Sequence, residues 1–365
     1  MQKAKVQRIV FPKDRRIIVV SDIHGHLQNL QKLLEKVHFS TEDILVIDGD
    51  LIEKGEQSLK TLRFVMQLAK THSVYEVLGN NDWLWDELER EDAQSNQQLL
   101  EYMRGRNSIL NEMCAELGIR LEDPDDFLEV KHQLKANFAP EWDYLRSLPD
   151  ILESEHYLFV HAGLESEKLE QQEKARCVKN DWFFQREICF SRWCVVGHFP
   201  VSLYDDRLND CSVRIDPRRK LISIDGGCVM QQSGQLNALI IPQDGAEKFA
   251  WEYVDSLPKA LALDAGASSD ATEAHCLHWP HNQVQVLERG QDCSYCQQPQ
   301  LGYRMWIPNA LLSEWEGTVY TNNCTDYWLK ICPGDLVSVV AKTSRGALIK
   351  KNGLLGWYAG RLQDK

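Results

Sequence analysis

The chain has 365 residues, enough for one large and one small domain. Its formal net charge of −13 argues against a nucleic-acid scaffold or an anionic membrane surface as partner. It does not exclude a phosphorylated substrate, because bound metals reverse the local sign.

From Arg16 to Val20 an apolar run reads as a buried strand and breaks into Ser21-Asp22-Ile23-His24-Gly25. Leu27, Leu30, Leu34 and Val37 then recur at helical spacing. Ile44 to Ile47 predicts a second strand, ending at Asp48-Gly49-Asp50, and Leu59, Leu62, Val65, Met66 and Ala69 mark the next helix. Val74 to Leu78 predicts a third strand, ending at Gly79-Asn80-Asn81-Asp82. Repeated strand–loop–helix order argues for an α/β layered sheet, where ligands bind at the carboxyl ends of strands. Residues 83–118 read as an acid-rich helical insertion, and Glu141 to Leu148 as a short helix stopped by Pro149. Further strands at Tyr157–Val160 and Trp193–Val196 deliver His161-Ala162-Gly163 and Gly197-His198. Leu221–Ile224 runs into Asp225-Gly226-Gly227, and Leu236–Ile241 and Phe249–Val254 close the domain. Residues 259–274, rich in Ala, Ser and Asp, read as a linker. Beyond them come short alternating strands with an Asn352-Gly353 turn, the pattern of a small all-β domain.

Asp22, His24, Asp50, Asn80, His161 and His198 form an oxygen-and-imidazole set able to hold two divalent metals side by side. Such a pair makes hydroxide from water at neutral pH and clamps a phosphoryl group. Asp50 is the candidate bridge, because a carboxylate has two oxygens. Mixed nitrogen and oxygen ligands suit Mn first, with Fe or Zn as alternatives.

The order Asp-x-His-Gly, Gly-Asp-x-x-x-x-Gly, Gly-Asn-x-Asp, His-x-Gly, Gly-His resembles the calcineurin-like metallophosphoesterases over residues 15 to 255. Leu148-Pro149 and Ile224-Asp225-Gly226-Gly227 narrow the likeness to the bacterial branch of the phosphoprotein (Ser/Thr) phosphatase family. The resemblance implies a β-sandwich flanked by helices. It implies one metal on Asp22, His24 and Asp50, a second on Asp50, Asn80, His161 and His198, and in-line attack by a metal-bound hydroxide. The segment from residue 283 resembles bacterial SH3-like barrels. The expected domains are therefore 1–257 (phosphoesterase), 258–282 (linker) and 283–365 (SH3-like).

Two departures from the family pattern bear on chemistry. Gly49-Asp50-Leu51-Ile52-Glu53-Lys54-Gly55 carries Lys54 where the family has a phosphate-gripping Arg, and Glu53 where it has an Asp. Asn81 stands where a His normally protonates the departing oxygen. Glu53, Lys54 and Asn81 are therefore the expected catalytic positions, with His26 as a substitute proton donor. Loss of a general acid costs roughly a hundredfold to ten-thousandfold, most for alkoxide leaving groups. Aryl phosphates or phosphoanhydrides are accordingly expected over phosphoserine.

The expected activity is metal-dependent phosphomonoester hydrolysis. The alternatives are a nucleotide polyphosphate or diester hydrolase and a degenerate phosphatase that only binds phosphorylated partners. Expected partners are a phosphorylated protein or small molecule, plus a peptide at the SH3-like domain. Arg176, Arg186 and Arg192 are further candidates to grip phosphate. Cys293-x-x-Cys296, with Cys324, His275, His278 and His281, hints at zinc but lacks a second pair at the right spacing. Eleven cysteines without disulfide spacing, and an N-terminus with no apolar core, point to the cytoplasm.

Overall fold

The computed structural model describes residues 2–120 and 127–365. The chain forms two compact units. The first comprises Met1–Phe199, Val213–Val229 and Leu236–Val254; the second comprises Pro200–Ser212, Met230–Gln235 and Asp255–Lys365.

Two sheets build the first unit. One runs Ala250–Val254 (β11), Leu236–Ile241 (β10), Ile17–Val20 (β2), Ile44–Asp48 (β3) and Ser73–Val77 (β4). The other runs Val6–Arg8 (β1), Ile151–Glu153 (β5), Tyr157–Phe159 (β6), Trp193–Val196 (β7), Leu221–Ser223 (β9) and Arg214–Asp216 (β8). Strands β2, β3 and β4 are parallel, as are β6, β7 and β9.

Side chains alternate across each strand, and the alternation sorts three cores. Ile17, Val19, Ile44 and Val46 meet Phe159, Val195 and Ile222 inside a sandwich. Ile18, Val20, Leu45 and Ile47 face outward onto helices. These are α1 (Leu27–Lys36), α2 (Ser58–Leu68), α4 (Ala93–Arg104), α5 (Ile109–Leu117), α6 (Phe127–Asn137) and α7 (Ala139–Ser147). On the far side, Leu158, Val160, Cys194 and Val196 pack against Leu164, Leu169 and Phe183. The helical insertion after β4 thus covers one sheet face, beginning with the short α3 (Trp85–Glu89).

The second unit is all-β. Its sheets run β22-β21-β20-β12-β23 and β16-β15-β14-β18-β17, with a β13-β19 ribbon. The first comprises Leu354–Tyr358 (β22), Gly346–Lys351 (β21), Leu336–Thr343 (β20), Lys259–Ala262 (β12) and Leu362–Asp364 (β23). The second comprises Arg304–Pro308 (β16), Cys293–Gln297 (β15), Gln283–Glu288 (β14), Thr318–Thr321 (β18) and Leu312–Trp315 (β17); the ribbon pairs Cys276–Leu277 (β13) with Cys324–Thr325 (β19). The Asn352-Gly353 turn is present, with φ of 50° and 86°, the left-handed pair a tight hairpin requires.

The linker expected over 258–282 needs correction. β12 lies inside a sheet, paired with β20 and β23. Its Ala260 and Ala262 are buried. Four residues of Lys, Ala and Leu carry too little alternation to announce a strand, and the partners lie some 70 to 100 residues downstream.

One buried ion pair ties this unit together. Lys350 Nζ lies 3.1 Å from Asp255 Oδ2, both side chains fully buried. Ser338 Oγ donates to the same oxygen at 2.9 Å and Lys259 Nζ to the other at 2.7 Å. Lys350 also donates to the carbonyl of Ser233. Asp255→Ala is expected to cost about 3–5 kcal/mol in urea unfolding, because it removes one partner of a buried ion pair, and adding Lys350→Met should restore part of it.

Candidate metal centre

Five strands from the two sheets deliver the candidate ligands at their carboxyl ends. Asp22 and His24 follow β2, Asp50 follows β3, Asn80 follows β4, His161 follows β6 and His198 follows β7. Asp22, His24 and Asp50 form one convergent group, and Asp50, His161 and His198 another; within each, the ligand atoms lie within 4.8 Å of one another. Asp50 belongs to both. Its Oδ2 lies 3.7 Å from His24 Nε2, and its Oδ1 lies 3.4 Å from His161 Nε2.

The imidazoles are aimed by groups behind them. His161 Nδ1 meets the carbonyl of Asp48 at 2.8 Å, turning Nε2 toward Asp50. His198 Nε2 meets Asp181 Oδ1 at 2.8 Å, leaving Nδ1 for the centre. His24 Nδ1 lies 3.4 Å from the carbonyl of Ile52. Burial pushes His24 down to about 3, and burial with His161 pushes His198 down to about 4, so both rings are neutral near pH 7 and free to donate a lone pair.

The donor set fits divalent cations on two observations. First, carboxylates are crowded together. Burial, then Asp225, raises Asp22 well above the usual carboxylate range, and burial lifts Asp225 to about 6. Burial and Asp50 lift Asp82 to about 7. Burial alone would depress His161, but Asp50 overcomes it and holds the ring up at about 10. The cluster therefore calls for positive charge. Second, the Asn80 side-chain oxygen is surrounded by acceptors. His198 Nδ1 lies at 2.9 Å and the Val178 carbonyl at 3.3 Å. Turning the amide over would exchange these contacts for hydrogen bonds. A cation among them satisfies the oxygen without the turn.

Backbone geometry sets the cluster apart from ordinary loop. Asp22, His24, Asp50 and His198 all have φ between 49° and 66°, a left-handed conformation that costs a non-glycine residue energy and concentrates at functional sites. The loops also press close together. A Cβ at Gly79 would lie 2.1 Å from the Asp50 nitrogen, and one at Gly197 would lie 2.4 Å from Asp22 Oδ2.

The other expected positions divide. Lys54 reaches the cluster, with Nζ 3.3 Å from His24 Nε2. Asn81 donates to both Asp50 oxygens, through its backbone nitrogen and its side-chain amide. His26 stands at the N-cap position of α1 without a side-chain capping bond and lines a cavity with Lys54, Gln57 and Asn107. Glu53, expected as a catalytic position, is a correction: its hydrogen bonds go to the helical insertion. Its buried carboxylate accepts from the Tyr102 hydroxyl, Ser108 Oγ and the Ile109 nitrogen, which fastens the start of α5. Arg186 pairs with Glu165 and Arg192 with Glu153. No cysteine falls in a metal-binding group among the described residues.

Sequence reasoning missed Asp181, which aims an imidazole from outside the motifs, and the carbonyl of Asp48, which aims one from inside them. It also missed the work of Asp82. That buried side chain accepts from the nitrogens of Leu51, Ile52 and Gly79, stapling the loop after β3 to the loop after β4. The expected outcome of Asp50→Asn is loss of both bound metals by elemental analysis of Mn-loaded protein, whereas Asp22→Asn should lose one.

A family model for calcineurin-like phosphoesterases matches residues 15–219. The symmetrical bis(5'-nucleosyl)-tetraphosphatase of Pasteurella multocida (strain Pm70) is 33% identical over 154 residues, covering 40% of this chain and 43% of that protein. The enzyme of that name from Vibrio parahaemolyticus serotype O3:K6 is 49% identical over 65 residues, covering 18% and 24%. The chain thus spans less than half the length of these curated relatives. Among solved structures, a metallophosphoesterase from Sphaerobacter thermophilus aligns with a TM-score of 0.37 at 19% identity, covering 66% of this chain and 88% of that one. A serine/threonine phosphatase from Saccharomyces cerevisiae aligns at 0.41 and 13%, covering 70% and 85%. With its strand-end ligands in place and more than half its length matched, the chain belongs to the calcineurin-like phosphoesterase family.

Proposed function

We propose that this chain is a metal-dependent hydrolase of phosphoanhydride and phosphoester bonds that favours nucleoside polyphosphates. The observation that carries the reading is the position of Asp50, one carboxylate with an imidazole facing each of its oxygens. Two divalent cations bound there would supply Lewis acidity and lower the pKa of water. Mn, then Fe or Zn, suits the mixed donor set.

The chain's own residues then have distinct tasks. Asp22, His24 and Asp50 would hold one cation; Asp50, Asn80, His161 and His198 would hold the other. Lys54 offers a point charge to a phosphate oxygen. The Asn81 amide donates hydrogen bonds but has no proton to give up. Glu53 is tied to Tyr102 and α5, so it cannot orient a proton donor at position 81. Chemistry without a strong general acid favours leaving groups that depart as stable anions, and a nucleotide phosphate is one. The name borne by the curated relatives supports the same substrate class.

For the second unit, the SH3-like peptide-binding reading is supported by a cavity of about 190 Å³ among Tyr295, Trp306, Trp328 and Trp357.

The test is a substrate panel on Mn-loaded protein. The expected order of kcat/KM is diadenosine tetraphosphate, then p-nitrophenyl phosphate, then a phosphoserine peptide. Fastest turnover of the peptide rejects the preference. Asn81→His should raise the peptide rate relative to the dinucleotide by about tenfold or more, as a returned proton donor would.

A further inference from the structure

A cavity of about 490 Å³ opens from the metal centre on the side of the helical insertion. It shares Asn80 and Asn81 with the centre, and beyond them it is lined by Trp83, Asp86, Glu87, Arg90 and Tyr102. Resting on the function proposed above, we infer that this cavity is the nucleoside subsite, with a base stacked on Trp83 and its donors met by Asp86 and Glu87.

Both rings are held in place before any ligand arrives. The Tyr102 hydroxyl donates to Glu53 at 2.6 Å, and the Arg106 guanidinium lies 4.2 Å from the ring centre. The Lys174 ammonium lies 4.4 Å from the centre of the Trp83 ring. A preset aromatic plane beside a phosphate-processing centre suits a flat, polarisable group, and every nucleobase has such a face.

The charge of the wall sharpens the choice. Asp86 Oδ2 and Glu87 Oε1 share one guanidinium, Arg90, at 3.0 and 3.2 Å. With the Lys174 ammonium and the Arg106 guanidinium behind the two rings, the wall is of mixed charge and its carboxylates are its acceptors, so the proposed metal centre is what draws the phosphates to the other end. The two carboxylates remain 44% and 37% exposed and so have acceptor capacity to spare. Ribose hydroxyls and an exocyclic amino group are the matching donors. A phosphotyrosyl ring has no such donor, because its only oxygen is esterified. The arrangement therefore orients a nucleotide with its phosphates on the metal side and its nucleoside on the Trp83 side. It favours adenosine over uridine, whose base has no amino group.

Glu53 thereby acquires a positioning role. At the position where the family keeps an acid-orienting Asp, this chain has a longer carboxylate that reaches Tyr102 and fixes a wall of the cavity.

Adenosine, which carries no phosphate, is the direct probe. It is titrated by calorimetry into Mn-loaded protein, with uridine as the comparison. Adenosine is expected to bind, with affinity about tenfold weaker in Trp83→Ala, the loss of one stacking partner. Asp86→Asn and Glu87→Gln replace exposed side chains, so they preserve the fold; each should shrink the preference for adenosine over uridine. A kinetic arm compares kcat/KM for diadenosine tetraphosphate with that for inorganic tripolyphosphate, and this ratio should fall about tenfold in Trp83→Ala. Adenosine binding that is absent, or equal in wild type and all three variants, overturns the subsite. An unchanged ratio in Trp83→Ala overturns it too. Adenosine binding that depends on Trp83, in a chain that turns over tripolyphosphate but no dinucleotide, supports the subsite while the substrate preference falls.

Discussion

Asp50 is the constraint around which the first unit is arranged. A carboxylate that is almost fully buried must find positive charge or hydrogen-bond donors, or it will take up a proton. Burial opposes its ionisation, yet His161, by charge and by hydrogen bond, holds its pKa well below the usual range. Asn81 supplies two donors to the same group. Asp22, Asp82 and Asp225 crowd around it and compete for the same compensation. A cluster so weighted toward negative charge is costly for a fold that uses it for nothing. It is suited to cations that exceed a proton in charge and bind several oxygens at once.

Holding such a cluster requires rigid loops, and the sandwich supplies the rigidity. Parallel strands β2, β3 and β4 end side by side, so the loops that follow them leave in the same direction. Asp82 then links two of those loops through three backbone nitrogens. The left-handed backbone at Asp22, His24, Asp50 and His198 sits in loops that press close, with Gly79 against Asp50 and Gly197 against Asp22. Position and strain therefore have a common origin in the sheet edges.

Much of this was legible in the sequence, for a physical reason. Each of the candidate metal-ligating positions lies just beyond a short apolar run, and an apolar run that stops at Asp, His or Asn announces both the strand and its business end. The groups that aim the imidazoles were not legible. Asp181 sits in irregular chain, and the contribution of Asp48 is a carbonyl, which every residue possesses. Glu53 was misread because a motif position identifies the loop but not the direction in which a side chain leaves it. Glu53 and Lys54 both have left-handed φ, 72° and 70°, and these neighbours point to different places. Lys54 goes to the cluster and Glu53 goes to the helices. β12 escaped notice because its partners are remote and its four residues carry almost no pattern of their own.

The divergence at Glu53 and Asn81 is better understood as one change than as two. In a proton-donating pair, the orienting carboxylate is useful only if an imidazole stands beside it. Once position 81 holds an amide, a carboxylate at position 53 has no proton to steer and is released to other work. Here it accepts three hydrogen bonds from the helical insertion and fixes both Tyr102 and the first turn of α5. Glu53 thus gives the insertion a firm attachment to the loop after β3. A single buried side chain thereby joins that loop, which carries Asp50, to the helices that follow β4.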